Sequence, residues 1–204
     1  MSIDLTTSLG SLHMQAPTAT ASGCAAAGRE LAQFGDVSTL GAVVTKSIML
    51  RPRSGRPTPR MAETPSGMLN SIGLQGPGID SFLEKDLAWL RDHNVTTIVS
   101  IAGNNVAEFG QLARILRDVP GIGGLEVNIS CPNVESRGQV FACNPFSAAE
   151  VIDTVRNEWT STAPILAKLS PDVTDITEIA GSVINAGADG ISMINTLLGM
   201  VCLL

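Results

Sequence analysis

Val127-Asn128-Ile129-Ser130-Cys131-Pro132-Asn133 closes an apolar β-type run, Leu125–Ile129, with a polar loop that contains proline. A short run that is apolar on both faces belongs in a parallel sheet, with helices covering each side. Similar runs stand on either side of it: Thr18–Ala21, Ala42–Thr45, Thr97–Ile101, Ile165–Leu169 and Gly190–Ile194. Helical patterns fall between them, at Arg29–Phe34, Ile79–His93, Val106–Arg117, Phe146–Trp159 and Asp175–Ala186. Two helix starts are marked: Asn144 before Pro145 reads as a cap with proline at the first helical position, and Asp175 with Glu178 resembles a capping box. The stretch Leu5 to Met14 alternates weakly around Gly10, as a short hairpin would. Repeated β-α units fit an open doubly wound sheet and a (β/α)₈ barrel equally well. No G-x-G-x-x-G opens a helix after the first strand, and no Walker A sequence occurs, which lowers the standing of a Rossmann domain.

The 204 residues read as one domain, 1–204, with 44% hydrophobic and 16% charged residues. A net charge of -6 lacks the electrostatic footprint of a nucleic-acid or anionic-membrane binder. The longest apolar stretch, from Leu197 to Leu204, is too short to span a bilayer, and Met1-Ser2-Ile3-Asp4 does not begin a secretion signal. Cys24, Cys131, Cys143 and Cys202 lie far apart, form no C-x-x-C pair and read as reduced cytosolic thiols; no metal site is expected. From Ser47 to Pro77 no periodicity shows, but Arg51, Arg53, Arg56 and Arg60 cluster there. A loop this long within a compact domain is usually functional. The arginines read either as a solvated basic surface or as neighbours of an anionic ligand.

Parallel α/β folds bind ligands at the carboxyl ends of their strands. The ends here carry unusual polar residues: Ser22-Gly23 after the first, Lys46 after the second, Ser100 in the third and Asn128 in the fourth. Lys168 lies in the fifth, and Asn195-Thr196 follow the sixth. Lys46 and Lys168, two of only three lysines, follow buried-strand patterns, and a lysine is rarely buried without a partner. Each reads as facing an anionic ligand group or as an internally paired structural lysine, and the first reading is preferred. Asn128 and Asn195 read either as satisfying local backbone or, converging at one barrel mouth, as suited to the amide edges of a flat heterocycle, since each offers donors and an acceptor. Cys131, in a proline-containing loop just past a strand end, is a candidate nucleophile or base.

The catalytic loop of dihydroorotate dehydrogenases resembles Asn128-Ile129-Ser130-Cys131-Pro132-Asn133 closely. Ala21-Ser22-Gly23, Val44-Thr45-Lys46, Arg56-Pro57-Thr58-Pro59-Arg60, Asn70-Ser71-Ile72-Gly73-Leu74, Ala167-Lys168-Leu169-Ser170-Pro171 and Ile194-Asn195-Thr196-Leu197-Leu198-Gly199-Met200 agree with that family in order. A cysteine in the loop points to the soluble class 1 enzymes, and Ala62-Glu63-Thr64-Pro65 looks most like class 1B.

The resemblance implies FMN on a (β/α)₈ TIM barrel that oxidises dihydroorotate to orotate in pyrimidine synthesis, in the cytoplasm. By it, Ser22, Lys46, Ser47, Ser100, Asn128, Lys168 and Ile194 would contact FMN. Lys46, Asn70, Ser71, Ile72, Gly73, Leu74, Asn128, Asn195 and Thr196 would hold substrate, and Cys131 would be the base. Ser100 stands where relatives commonly carry an asparagine. The resemblance also implies a separate electron-transfer subunit with FAD and a 2Fe–2S cluster, around a homodimer core of a heterotetramer. A full barrel takes eight strands and about 250 residues, so the expectation is an incomplete barrel with about six strands, its ending Cys202-Leu203-Leu204 unlike the family's continuation. Two other readings stay open: an FMN enzyme like dihydropyrimidine dehydrogenase, and an inactive truncated fragment.

Overall fold

The computed structural model describes residues 3–130 and 140–200. Its centre is a five-stranded parallel sheet of β3 (Val43–Val44), β6 (Thr97–Ile101), β7 (Gly124–Val127), β8 (Ile165–Lys168) and β9 (Gly190–Ser192), paired in chain order. Between β6 and β9 every step from strand to strand crosses through a helical segment. These are α3 (Val106–Leu116), α4 (Pro145–Glu158) and α5 (Ile176–Asn185).

Side-chain alternation decides what each face of the sheet does. Val99, Ile101, Leu125, Val127, Ile165 and Ala167 point toward the helices and join one large apolar core. The helices answer at helical spacing, with Phe109, Leu112, Ala113 and Leu116 on α3 and Ala148, Val151, Ile152 and Val155 on α4. The residues between those strand positions face the other way. Ala42, Val44, Ile98 and Leu166 pack there with Met14, Leu9 and Leu12. Those last three belong to a hairpin, β1 (Thr7–Leu9) and β2 (Leu12–Met14), which plugs the amino-terminal end of the inner face.

The sheet is curled. Neighbouring strands stand about 4.8 Å apart, yet side chains on this inner face hydrogen-bond across a whole intervening strand. Asn128 beyond β7 reaches Ser47 beyond β3, and Glu126 on β7 reaches Ser192 on β9. Only a concave surface brings such residues together, and a concave parallel sheet backed by helices is part of a TIM barrel.

Several elements differ from the sequence reading. Thr18–Ala21 makes only an isolated parallel bridge, Ala19 to Ala42, although Thr20 N–H and Gly41 N–H still exchange bonds across it. Gly41 permits the close approach: a β-carbon there would lie 1.9 Å from the Ala16 carbonyl oxygen. Arg29–Phe34 is reduced to a 3₁₀ turn, Leu31–Gln33. Ile79–His93 is helical but interrupted, with α1 (Ile79–Ser81), a π-helical Phe82–Leu87 and α2 (Ala88–Asp92). The segment from Ser47 to Pro77 is not without structure: β4 (Met61–Thr64) and β5 (Gly67–Asn70) form an antiparallel hairpin. Both strands are largely exposed, so no burial pattern marks them in sequence. Asn144 and Asp175 both cap their helices, but among the described residues no Glu178 side-chain bond back to Asp175 completes a capping box. Asn144 accepts from the N–H groups of Phe146 and Ser147, and Asp175 accepts from Thr177 N–H at 2.8 Å.

Candidate functional site

The inner face changes character along the strands. Near the hairpin it is Ile98, Leu166 and Val44; toward the carboxyl ends it becomes Ser100, Glu126, Asn128, Lys168 and Ser192. Burying so many polar groups is costly unless they satisfy one another. Ser100 and Asn128 do so in a continuous row with Ser22, Ser47, Ser130 and Asn195, while Glu126, Lys168 and Ser192 form a separate group.

Ser22 Oγ donates to the Thr45 carbonyl at 2.8 Å and stands 3.4 Å from Ser47 Oγ. Ser47 Oγ lies 3.0 Å from Ser100 Oγ and accepts the Asn128 amide N–H at 2.9 Å. Asn128 Oδ1 accepts from Ser130 Oγ at 2.6 Å, and Ser130 Oγ in turn accepts from Asn195 Nδ2 at 2.8 Å. Asn195 Oδ1 takes the Thr196 backbone N–H at 2.9 Å. The bonds fix which end of each amide points where. Among the described residues these bonds leave Asn128 one N–H and one lone pair, and Asn195 the same. Five residues expected at the site (Ser22, Ser47, Ser100, Asn128 and Asn195) therefore meet. Ser130, absent from that expectation, is the hydroxyl joining the two amides.

Lys168 lies deeper on the same face, buried, with Nζ 3.7 Å from Glu126 Oε2. The lysine thus has an internal counter-charge, the paired reading left open beside that of an anionic ligand group. Glu126 itself is 3% exposed and takes a 2.7 Å hydrogen bond from Ser192 Oγ. Sequence reasoning missed Glu126. Its signal was parity, since it is the charged residue in β7 and lies two positions before Asn128.

Lys46 projects elsewhere on the rim. It lies against the Gly23 turn, where φ is +89° and a β-carbon would come 3.4 Å from Lys46 Nζ. With Gly23, Arg53, Ile72, Gln75 and Phe82 it bounds a cavity of about 510 Å³. That cavity shares Thr45 and Lys46 with the end of β3 but none of the hydroxyls or amides of the row. Ile72 is thus brought to Lys46. Ile194 is exposed, Thr196 joins the row only through its backbone N–H, and among the described residues no hydrogen bond ties Asn70 or Ser71 to it. Cys131 lies outside the described residues.

The loop from Asn70 to Gln75 contains consecutive left-handed residues, Gly73 at φ +75° and Leu74 at +55°. For leucine that conformation costs about 1–2 kcal/mol. Two arginines hold it in place: Arg53 Nε donates to the Gly73 carbonyl at 3.0 Å, and Arg60 donates to the Gln75 side-chain oxygen. Leu74 is rewarded by packing on buried Met49 and Ala102. Within the arginine cluster, Arg53 and Arg60 thus clamp this loop, and Arg53 remains exposed. Of the three other cysteines, Cys24 and Cys143 are exposed and free, desolvation raises the thiol pKa of Cys143, and Cys202 lies outside the described residues. Among the described residues no cluster of three or more His, Cys, Asp or Glu could hold a metal, and no helix is long and apolar enough to cross a membrane.

The sequence profile described as "Dihydroorotate dehydrogenase" matches residues 4–203. The chain belongs to the dihydroorotate dehydrogenase family. Among curated members, the "Dihydroorotate dehydrogenase B (NAD(+)), catalytic subunit" of Desulforamulus reducens is 51% identical over 201 residues, covering 98% of this chain and 65% of that protein. Proteins of the same name from Geobacillus kaustophilus and Geotalea uraniireducens are 48% and 46% identical over 196 and 197 residues. Those alignments cover 96% and 97% of this chain, and 62% and 64% of the relatives. The chain thus spans somewhat under two thirds of the length of these dihydroorotate dehydrogenase family members.

Proposed function

We propose that this chain carries the FMN and substrate chemistry of a class 1B dihydroorotate dehydrogenase catalytic subunit, oxidising dihydroorotate to orotate in pyrimidine synthesis. The observation that carries the reading is the ordered row Ser22–Ser47–Asn128–Ser130–Asn195 at the strand ends, in a chain of this family. The relatives' name supports it over a dihydropyrimidine dehydrogenase reading.

The residues present fit a flavin. Its flat polar ring presents alternating donors and acceptors, and the row offers hydroxyls and amides whose orientation is already fixed, beside a buried ammonium. Ser22, Lys46, Ser47, Ser100, Asn128, Lys168 and Ile194 would hold it. Bound FMN supplies the two-electron acceptor for the hydride that leaves C6 of the substrate. Lys46, the loop from Asn70 to Leu74, Asn128, Asn195 and Thr196 would bind and orient dihydroorotate, with Lys46 opposing its carboxylate. Cys131 would take the C5 proton onto its sulfur, and a thiol with an ordinary pKa of about 8.5 becomes an effective base where its surroundings favour the thiolate. The name "catalytic subunit" supports a partner, for which we propose the FAD and 2Fe–2S electron-transfer subunit, assembled around a homodimer core in the cytoplasm.

The test is flavin reduction. The chain is loaded with FMN under anaerobic conditions, and the visible flavin absorbance is followed after adding dihydroorotate. Reduction is expected with dihydroorotate and not with dihydrouracil. Cys131→Ala should slow it by about 10²–10⁴, the usual worth of a general base. Reduction at the parental rate in that variant would remove Cys131 from the mechanism.

A further inference from the structure

One buried group on the inner face has a demand that the described residues do not meet. Glu126 is a carboxylate in the middle of a parallel sheet, flanked by the apolar Leu125 and Val127, and its Oε1 has no hydrogen-bond partner. A carboxylate in such a place is expensive unless its charge is opposed and its lone pairs are occupied. Its other oxygen is doubly engaged: Ser192 Oγ donates to Oε2 at 2.7 Å, and Lys168 Nζ lies 3.7 Å from the same atom. Glu126 therefore ties β7 to β9 over the top of β8, from which Lys168 rises.

The geometry separates charge pairing from hydrogen bonding. At 3.7 Å the ammonium is held electrostatically but makes no direct hydrogen bond to Oε2. No hydrogen bond to another described residue engages Nζ, so its N–H donors stay available. The serine meanwhile spends its proton on aiming the carboxylate. A lysine side chain has four rotatable bonds, and in the absence of a counter-charge nothing on this face would select one direction for its head. Opposite Lys168 in the β8–β9 register stands Ser192 itself, so the three side chains form one compact unit.

We propose that Glu126 is a positioning residue: with Ser192 it fixes the Lys168 ammonium on the inner face, charged and with its donors free, so that Lys168 can serve the flavin. This rests on the flavin reading above for the identity of the ligand, but not for the positioning itself. Among the described residues Lys46, on the rim, makes no ion pair with a carboxylate, and it is not part of the unit.

The chain has three lysines, Lys46, Lys85 and Lys168, which makes a direct measurement practical. With lysine labelled at ¹³Cε, each gives one set of ¹H–¹³C signals. A fixed Lys168 should show two inequivalent Hε protons, and Glu126→Gln, which keeps the shape and removes the charge, should merge them while Lys46 and Lys85 stay unchanged. Ser192→Ala keeps both charges and should narrow the splitting, giving a second variant should the first not fold. Inequivalent Hε protons that persist in both variants would overturn the proposal. The second readout is FMN affinity by quenching of flavin fluorescence in a double-mutant cycle. Glu126→Gln and Lys168→Ala should each weaken binding by about tenfold, the scale of one charge-assisted contact. The double variant should be no weaker than Lys168→Ala alone. Effects that multiply instead would mean that Glu126 does not act through Lys168, and would overturn it. A parental chain that does not bind FMN would remove the flavin reading, while the lysine spectra would still decide the role of Glu126.

Discussion

Ser47→Ala removes the hydroxyl at which the polar row turns from the first strands to the later ones. Ser47 is 2% exposed, and its Oγ accepts the Asn128 amide N–H at 2.9 Å while standing 3.0 Å from Ser100 Oγ. Alanine leaves the Asn128 N–H buried without its acceptor, and Ser100 without its nearest neighbour in the row. An unsatisfied buried donor costs about 1–3 kcal/mol, and the site leaves no room for much relaxation because Asn128 Oδ1 is pinned by Ser130. A loss of about 2 kcal/mol is expected, which for a domain of this size lowers the melting temperature by roughly 4–8 °C. Ser22→Ala is the control. Ser22 is half-buried and its main bond goes to a backbone carbonyl, so its loss should cost under about 1 kcal/mol. Urea unfolding followed by circular dichroism measures both, with an unchanged m-value showing that the native compactness is retained. Stability of Ser47→Ala within about 0.5 kcal/mol of the parent would refute the idea that the row is satisfied internally, since surface-like substitutions fall in that range.

Two further outcomes follow from the helix ends. Asn144→Ala deprives α4 of the acceptor for the Phe146 and Ser147 N–H groups and should cost about 1 kcal/mol in urea unfolding, whereas Asn144→Asp should cost much less. Asp175 has its pKa lowered, first by the Thr177 hydroxyl and then by the Thr177 backbone N–H. A carboxyl depressed on folding contributes stability above its unfolded pKa of about 3.9, and that contribution is lost as pH falls through the folded value. Between about pH 4 and 2 the parent should therefore lose more stability than Asp175→Asn, which keeps a cap but does not titrate; coincident acid profiles would remove the capping carboxylate as the cause.

Much of this protein was written plainly in its sequence. The alternation of short apolar runs with helical patterns located the five strands of the sheet, because a strand buried on both faces must be apolar throughout and helices must carry an apolar stripe. The caps at Asn144 and Asp175 were legible because capping is local chemistry between residues two or three apart. The candidates Ser22, Ser100, Asn128, Lys168 and Asn195 were legible as polar residues interrupting or ending apolar runs, and Ser47 only through the family resemblance. Tertiary structure alone decided how they relate. The exposed β4–β5 hairpin has no burial to imprint a pattern, and the roles of Arg53 and Arg60 depend on a left-handed turn twenty and fifteen residues further on. Ser130 and Ser192 look like ordinary small polar residues until the sheet curls. Glu126, Lys168 and Ser192 come from three strands separated by two helices, and no local rule relates them. What joins them is curvature: on a flat sheet side chains one strand apart from contact would stay apart, whereas on a concave inner face they converge and complete one another's hydrogen bonds.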